Sequence, residues 1–492
     1  MAGFDDLEQA RFDKIEAARA AGRDPYPVRF DRSHTVGEVR AAHPDLEPGA
    51  ETGTTVTIAG RLMLKRGHGK LSFGVLRDGG EDLQIMCQID VLDPAATAVW
   101  EDIDLGDWIG VTGEVIASKR GELSVRASSI ALLAKAIRPL PEKWHGLKDN
   151  ELRFRRRYVD LIVNPDARSV AVIRSKIIRE IRGFFDARGF LEVETPMLQS
   201  QPGGAIARPF VTHFNAYDSD VYLRIAPELY LKRLIVGGMD RVYEINRNFR
   251  NEGVSPRHNP EFTMLEAYQA FGDYHTMMEI FETMIPQVVL AVLGTTTITH
   301  QERTLSLAGP FRRARLIDLV SEAVGETLDL DMPIADARAL AQRHGIEPDD
   351  AWGVGKIVFE LYETLVEPNL LQPTFVMDFP RETSPLARPH RDDPRFAEVF
   401  DLVIGGVEIG PAYSELNDPI DQRARFEDQV RARAAGDQEA MGLDEDYLRA
   451  LEHGMPPTGG LGFGIDRFIR LITDSPSIRE VLLFPFMRPE AD

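Results

Sequence analysis

The sequence holds one cysteine, Cys87, which excludes an internal disulfide framework and a zinc site of clustered cysteines. A small buried hydrophobe in a strand is the role left for it. No apolar run approaches the ~18 residues needed to cross a bilayer, so no membrane partner is expected. The opening MAGFDDLEQARFDKIEAARA is acidic and amphipathic, lacking the basic start and apolar centre of a secretory leader; the expected location is the cytoplasm. Positive charge is in deficit, with 57 Lys and Arg against 78 Asp and Glu and a net charge of −21. Phosphate backbones are bound by cations, so DNA is not an expected partner, although a net count leaves room for a local basic surface. No GxxxxGK[ST] occurs either, which excludes a P-loop.

What is present is enough for two or three domains: 492 residues, 43% hydrophobic and 27% charged. Residues 5 to 22 have the spacing of a peripheral amphipathic helix, with Leu7, Ala10, Phe12, Ile15 and Ala18 on one face. From about 56 to 135, five short segments with strand character alternate with turns, two of them at the runs Arg66-Gly67-His68-Gly69 and Gly79-Gly80. Five strands in that length predict a small closed barrel of the oligonucleotide-binding type, or another small barrel without a ligand. A proline-bearing segment follows, and between Lys135 and Arg157 eight Lys or Arg face three Asp or Glu, ending in Arg153, Arg155, Arg156 and Arg157. A solvated charged face is the alternative to a binding surface there. Val170, Ile173, Ile177, Ile181, Phe184 and Phe185 then mark a helix closed by Gly189 and followed by the strand FLEVETP. Pro227 to Gly238 reads as a second helix with Glu228 in its first turn, where its carboxylate also suits the helix dipole. Residues 275 to 395 read as a mostly helical insertion.

The most informative stretch is YEINRNFRNEGVSPRHNPEFTMLEAY, from Tyr243 to Tyr268. Its first part alternates Tyr243, Ile245 and Phe249 with Glu244, Asn246, Asn248 and Arg250, a strand with a polar face. After a loop broken by Gly253, Pro256 and Pro260, a return strand puts Phe262, Met264, Glu266 and Tyr268 on one side. A face mixing aromatics, a carboxylate and an arginine suits a planar ring, an anion and a cation bound close together. FRNE, the loop and RHNPEFTMLE resemble the second signature motif of class II aminoacyl-tRNA synthetases, in the form found in lysine–tRNA ligases. The resemblance implies that Arg250 holds the ATP α-phosphate and the amino-acid carboxylate, and that Phe262 stacks on adenine. It also implies ATP-site roles for Glu252 and His258, the latter touching the triphosphate unless it is simply a solvated loop histidine.

Two further segments carry chemistry. In FDLVIGGVEI a two-residue Gly405-Gly406 turn pairs Val403 with Glu408 and brings Asp401 to the same face. Two converging carboxylates need a cation, and Mg²⁺ carried on phosphates is the simplest, against a solvent-facing edge as the alternative. Tyr413 and Glu415 share parity with each other but not with Glu408, so a bulge at Gly410-Pro411 is expected if all three face one site. GGLGFGIDRF puts Gly459, Gly460, Gly462 and Gly464 ahead of a helix with Arg467 in its first turn, suited to a phosphate. This run resembles the third class II motif, whose arginine binds the γ-phosphate, and the helix, strand and Pro196 resemble the first, which builds a dimer interface. The resemblance makes Asp401 and Glu408 the Mg²⁺ ligands, with Glu408 also at ATP. Where Pro411 stands, many lysine-type enzymes have an asparagine whose polar contact proline cannot make.

The family implied is α+β: an antiparallel catalytic sheet with flanking helices behind an N-terminal OB-fold that reads the anticodon. The expected division is a helical extension 1–55, barrel 56–135, basic linker 136–165 and catalytic domain 166–492. In the barrel, Phe73 matches the aromatic that stacks on an anticodon base, with Arg61 and Gln84 beside it; plain barrel core is the other reading of Phe73. The implied activity is ligation of lysine to tRNA(Lys) by a homodimer, with Arg250 and Arg467 as the catalytic charges. Lysine rather than aspartate or asparagine is favoured by Glu228, Glu266, Tyr268, Tyr413 and Glu415, anions and hydroxyls that ask for an ammonium, with Gly204 leaving backbone open to the substrate. A protein-modifying lysyl ligase of this class typically lacks the barrel, and a noncatalytic RNA-binding module would lose the arginines.

Overall fold

The computed structural model describes residues 5–68, 70–141, 147–434 and 442–490 and divides into two compact units, 1–168 and 169–492. Gly69 of the first expected turn and residues 142–146 of the expected linker lie outside the described residues.

In the first unit the helix Asp6–Ala20 starts at Asp5, whose carboxylate accepts from the Leu7 and Glu8 amides in a reciprocal cap with the Glu8 side chain. Its inner face is Arg11, Ile15 and Ala18, whereas Leu7 is exposed. Five strands, β1 (Glu51–His68), β2 (Leu71–Asp78), β3 (Glu81–Gln88), β4 (Trp108–Ala117) and β5 (Leu123–Ala134), close into a barrel in the order β1-β2-β3-β5-β4. Gly79 and Gly80 both have positive φ, which the two-residue turn between β2 and β3 requires. Alternate residues such as Ile58, Leu76, Ile85, Val111 and Val125 fill the interior. Trp100 joins them from a helix, Pro94–Asp102, whose Asp93 cap and leading proline were a readable start signal not used above. The expected basic linker is helical over Asn150–Arg155 and Arg157–Val163. Its arginines are largely matched from within: Arg153 and Arg157 meet the buried Asp160 at 2.9 and 2.5 Å, and Arg155 meets Glu151 at 2.7 Å.

The second unit is built on a large sheet. In chain order its strands and their satellites are β6 (Leu191–Glu192), β7 (Leu198–Gln199), β8 (Val211–Phe214), β9 (Ser219–Leu223), β10 (Arg241–Phe249) and β11 (Glu261–Ala270). After them come β12 (Thr297–His300), β13 (Arg303–Ser306), β14 (Arg312–Arg315), β15 (Thr374–Pro380), β16 (Phe396–Ile404), β17 (Val407–Ser414) and β18 (Thr458–Phe463). Eight form one sheet in the order β14-β15-β16-β17-β18-β11-β10-β6, antiparallel except for the β14–β15 and β6–β10 pairs. The region 275–395 is therefore not simply a helical insertion. Its helices Leu316–Val324, Ile334–Arg343 and Val354–Leu361 form a core of their own, but β14 and β15 belong to the main sheet.

One face of the sheet is dry. Leu265, Ala267, Phe400, Leu402 and Phe463 pack there against the helices Pro165–Asp186, Tyr274–Leu293 and Ile465–Ile472. Tyr274–Leu293 is the one described helix long and apolar enough to cross a membrane, yet Met277, Met278, Phe281 and Val289 make it part of this core. Strand parity then sends the intervening residues, including Glu244, Glu266, Asp401 and Tyr413, to the opposite face.

Candidate active site

The hairpin β10–β11 pairs Glu244 with Glu266, Asn246 with Met264 and Asn248 with Phe262, so the polar residues of both strands share a face. That face is not solvated. Glu244, Asn248 and Glu266 are buried, whereas Ile245 and Phe249 on the other side are half-buried. The second hairpin has the expected turn, with Gly405 and Gly406 at φ of 65° and 72° and Val403 opposite Glu408. Its bulge falls at Ile409, one residue before the expected place, because Leu402 pairs with Gly410. The extra residue brings Glu408, Pro411 and Tyr413 to one face. Between the hairpins runs β18, whose glycines are a buried central strand rather than a loop. A Cβ at Gly460 would lie 2.0 Å from a Glu415 carboxylate oxygen and 2.6 Å from the Tyr268 ring, so only glycine fits.

Two adjoining cavities of about 190 and 310 Å³ open on this face and share Arg250, Met264, Glu408, Pro411 and Gly462. The smaller is lined by Arg250, Glu252, His258, Phe262, Glu408 and Arg467. Arg250 lies with its guanidinium carbon 5.2 Å from the Phe262 ring centre, and its buried Nε has no hydrogen-bond partner. Burial pulls its pKa down, Glu252 and Glu408 oppose that, and an arginine remains charged throughout. Arg467 donates to the Glu408 carboxylate at 3.0 Å and approaches the ring of His258 to 3.5 Å. Burial first, and then Arg467, lowers the His258 pKa, so the imidazole is neutral at pH 7. Asp466, beside Arg467, accepts from the Thr263 amide at 2.8 Å and pairs with Arg174 at 2.5 Å, locking this helix start to the strand that carries Phe262.

The larger cavity is lined by Gly204, Glu228, Arg250, Glu266, Tyr268, Asp401, Glu408 and Tyr413. Tyr268 donates to Glu266 at 3.0 Å. Burial and then Glu228 push the Glu266 carboxyl well above its ordinary pKa, and burial raises the Tyr268 and Tyr413 phenols. Glu415 does not line this cavity: it is buried behind Lys232, whose ammonium lies 2.5 Å from both Glu228 and Glu415. Lys232 escaped the reading from sequence, although its place four residues after Glu228 on a helix was a usable signal. Below Glu266, Arg224 meets Glu244 at 2.6 Å. Burial and then Glu408 raise the Asp401 carboxyl, while burial and Glu408 hold Glu367, also unforeseen, at about 7. Among the described residues no three carboxylate, imidazole or thiolate side chains converge as a cation cage. Paired carboxylates at one end of a phosphate-sized cavity instead match the way Mg²⁺ is held through a few protein ligands plus phosphate oxygens.

These two cavities on an antiparallel sheet have counterparts in known proteins. Residues 149–488 match the model of class II tRNA synthetases (D, K and N), and residues 56–133 match that of an OB-fold nucleic-acid-binding domain. The chain is 51% identical to the lysine–tRNA ligase of Carboxydothermus hydrogenoformans over 99% of both chains. It is also 51% identical to that of Bacillus subtilis over 99% of this chain and 98% of the relative. The chain belongs to the lysine–tRNA ligase family. It is thus a class II, ATP-using aminoacyl-tRNA synthetase with an OB-fold domain.

On the barrel of this synthetase, Phe73 and Gln84 line an open groove of about 1080 Å³. Gln84 is fixed by Ser124 at 2.9 Å and accepts from Arg66 at 3.1 Å, and Arg66 lies 5.8 Å from the Phe73 ring centre. Arg61 is not beside Phe73. It pairs with Arg77 at the far end of β2, donates to the Gly106 carbonyl at 2.7 Å and covers Trp108. The register pairs Arg66 with Phe73, so Arg66 takes the place expected of Arg61.

Proposed function

We propose that the chain joins lysine to the 3′ end of tRNA(Lys), by forming lysyl-adenylate from lysine and ATP and then transferring the lysyl group. The observation that carries this is the set of buried carboxylates Glu228, Glu266 and Glu415 with a single ammonium, Lys232, among them. Such a pocket is short of positive charge and rejects a neutral or anionic amino-acid side chain. In the first step a substrate carboxylate oxygen attacks the α-phosphorus and the bond to the β-phosphate oxygen breaks, the electron pair leaving with pyrophosphate. No side-chain nucleophile or base takes part. The protein's work is positioning and answering charge. Arg250, common to both cavities and with a free Nε, is suited to span the α-phosphate and the lysine carboxylate. Phe262 offers its free face to adenine, Arg467 takes the γ-phosphate, and Glu252 and neutral His258 complete the nucleotide site. Asp401 and Glu408, with Glu367 behind, would hold Mg²⁺, which when bound neutralises phosphate charge.

Gly204, with φ of +85° and its α-carbon against Glu228, leaves backbone open to the lysine, while Tyr268 and Tyr413 bound its side chain. Pro411 lines both cavities without a polar group of its own. In the groove, Phe73 with Gln84 and Arg66 supports base stacking on an anticodon. The exposed Leu191, Leu198, Val211 and Tyr217 support a homodimer formed at the first class II motif. Cytoplasmic residence follows from the demands of translation. Amino-acid-dependent ATP–pyrophosphate exchange across the twenty amino acids tests the whole reading: lysine alone drives it, and a response to aspartate or asparagine instead overturns the assignment.

A further inference from the structure

Four buried glutamates, Glu228, Glu244, Glu266 and Glu415, lie at or next to the larger cavity, and two fully buried cations, Arg224 and Lys232, pair with three of them. Glu244 is answered by Arg224 at 2.6 Å, with the Thr195 hydroxyl donating to its other oxygen at 2.6 Å. Glu228 and Glu415 share Lys232, 2.5 Å from each. Lys232 has no exposed surface at all, and the helix Glu228–Val236 fixes it one turn below Glu228. Of these four, Glu266 alone has no cation within ion-pair reach among the described residues; its partner is the Tyr268 hydroxyl. The side-chain charges around Lys232 come from every element packed on it: Glu228 on its own helix, Glu415 one residue past the end of β17, and Glu266 and Tyr268 on β11. Tyr447 faces it from the helix Glu445–Glu452.

We propose that Lys232 is a positioning and specificity residue, a built-in ammonium between the Glu228 and Glu415 carboxylates that holds them in place while leaving Glu266 unmatched for the substrate. The geometry gives the logic. One resident ammonium stands among three buried carboxylates, so a lysine molecule whose carboxylate is taken by Arg250 brings the positive charge the surroundings lack. Without Lys232, burial would favour a proton on Glu415, because an isolated carboxylate in so dry a place neutralises rather than stays charged. Even with Lys232 in contact, burial holds Glu415 at about 7. The resident ammonium therefore sets the pocket's demand, and a side chain bearing one positive charge meets it.

The inference rests on lysine being the substrate, and the experiment separates the two. ATP–pyrophosphate exchange is measured on the full-length chain with lysine and ATP varied separately, at about pH 7 and about pH 8.5, for the parent and for Lys232→Met, a neutral side chain of similar length. A parent that ignores lysine overturns the substrate reading. With a lysine-active parent, Lys232→Met is expected to raise the KM for lysine by about tenfold or more at the lower pH, leaving the KM for ATP within about twofold. That deficit relative to the parent should shrink as pH rises, since deprotonation then restores negative charge without the ammonium. A lysine KM unchanged at both values, or lysine and ATP KM raised together, overturns the proposal. Lys232→Gln is measured alongside, and failure of both variants to melt cooperatively would make Lys232 a folding residue and equally overturn it.

Discussion

Replacing Glu266 by Gln keeps the shape of the side chain and removes its charge at the one buried carboxylate without a resident cation. Glu266 is 4% exposed, lies opposite Glu244 across the β10–β11 ladder, and accepts from Tyr268 at 3.0 Å. A hydrogen bond to a charged partner contributes about 1.5–3 kcal/mol, so losing the charge facing a substrate ammonium should raise the lysine requirement roughly 10- to 150-fold. The ATP requirement, set in the other cavity, should hardly move. Stability should shift the other way. The Glu266 pKa is raised above its unfolded value of about 4.3, so above that pH the empty native state carries a cost that grows until the folded pKa is reached. Gln has no proton to lose, and the variant without substrate should melt at or above the parent temperature near pH 7, the difference vanishing below about pH 4. Exchange kinetics and thermal melts at the two pH values measure both. A lysine KM within twofold of the parent, or a lower melting temperature near pH 7, would refute the reasoning.

Arg250→Ala should cut exchange by about 100- to 1000-fold, the scale for one preorganised donor answering developing charge (about 2.7–4 kcal/mol), with an unchanged circular dichroism spectrum; activity within a few-fold of the parent rejects its role. Phe73→Ala should weaken tRNA charging by about 1–3 kcal/mol in binding while sparing tRNA-independent exchange, and equal loss of both would point to barrel damage. Gly460→Ala forces a Cβ against the Glu415 carboxylate and the Tyr268 ring, so it should cost about 1–3 kcal/mol of stability in a denaturant titration and raise the lysine KM; a neutral effect would show that β18 can move away.

The nucleotide side of the site was legible in the sequence because its residues lie at fixed parity on two hairpins, and parity is what a strand cannot vary. Phe262, Glu408 and Arg467 come together as their spacing suggests. Even the bulge in β17 followed from requiring Glu408 and Tyr413 to share a face, missing by one residue because backbone pairing, not side-chain type, decides where the extra residue goes. The region 275–395 was harder. Its helices have clear periodicity, but β14 is four residues long and β15 is buried at nearly every position, so neither shows the alternation that marks a half-buried strand. Arg61 was placed by resemblance, and the hairpin register decides otherwise: Arg66, five residues further along β1, is the residue opposite Phe73.

The lysine side was legible as an inventory but not as an arrangement. Counting Glu228, Glu266 and Glu415 correctly signals a demand for positive charge, yet it treats the three as equivalent. The fold does not. Glu415 pairs with Lys232 and borders a separate cavity, not the one that Glu228 and Glu266 line. Three carboxylates so close cannot all be buried and ionised unaided, and an enzyme that filled the pocket with matched cations would have nothing left to bind its substrate. A single ammonium shared between two carboxylates is the intermediate solution: it offsets part of the cost of burying them while leaving a deficit that a cationic amino acid removes. Stability and selectivity thus draw on the same charge balance in opposite directions, which is why Glu266→Gln is expected to gain the first as it loses the second.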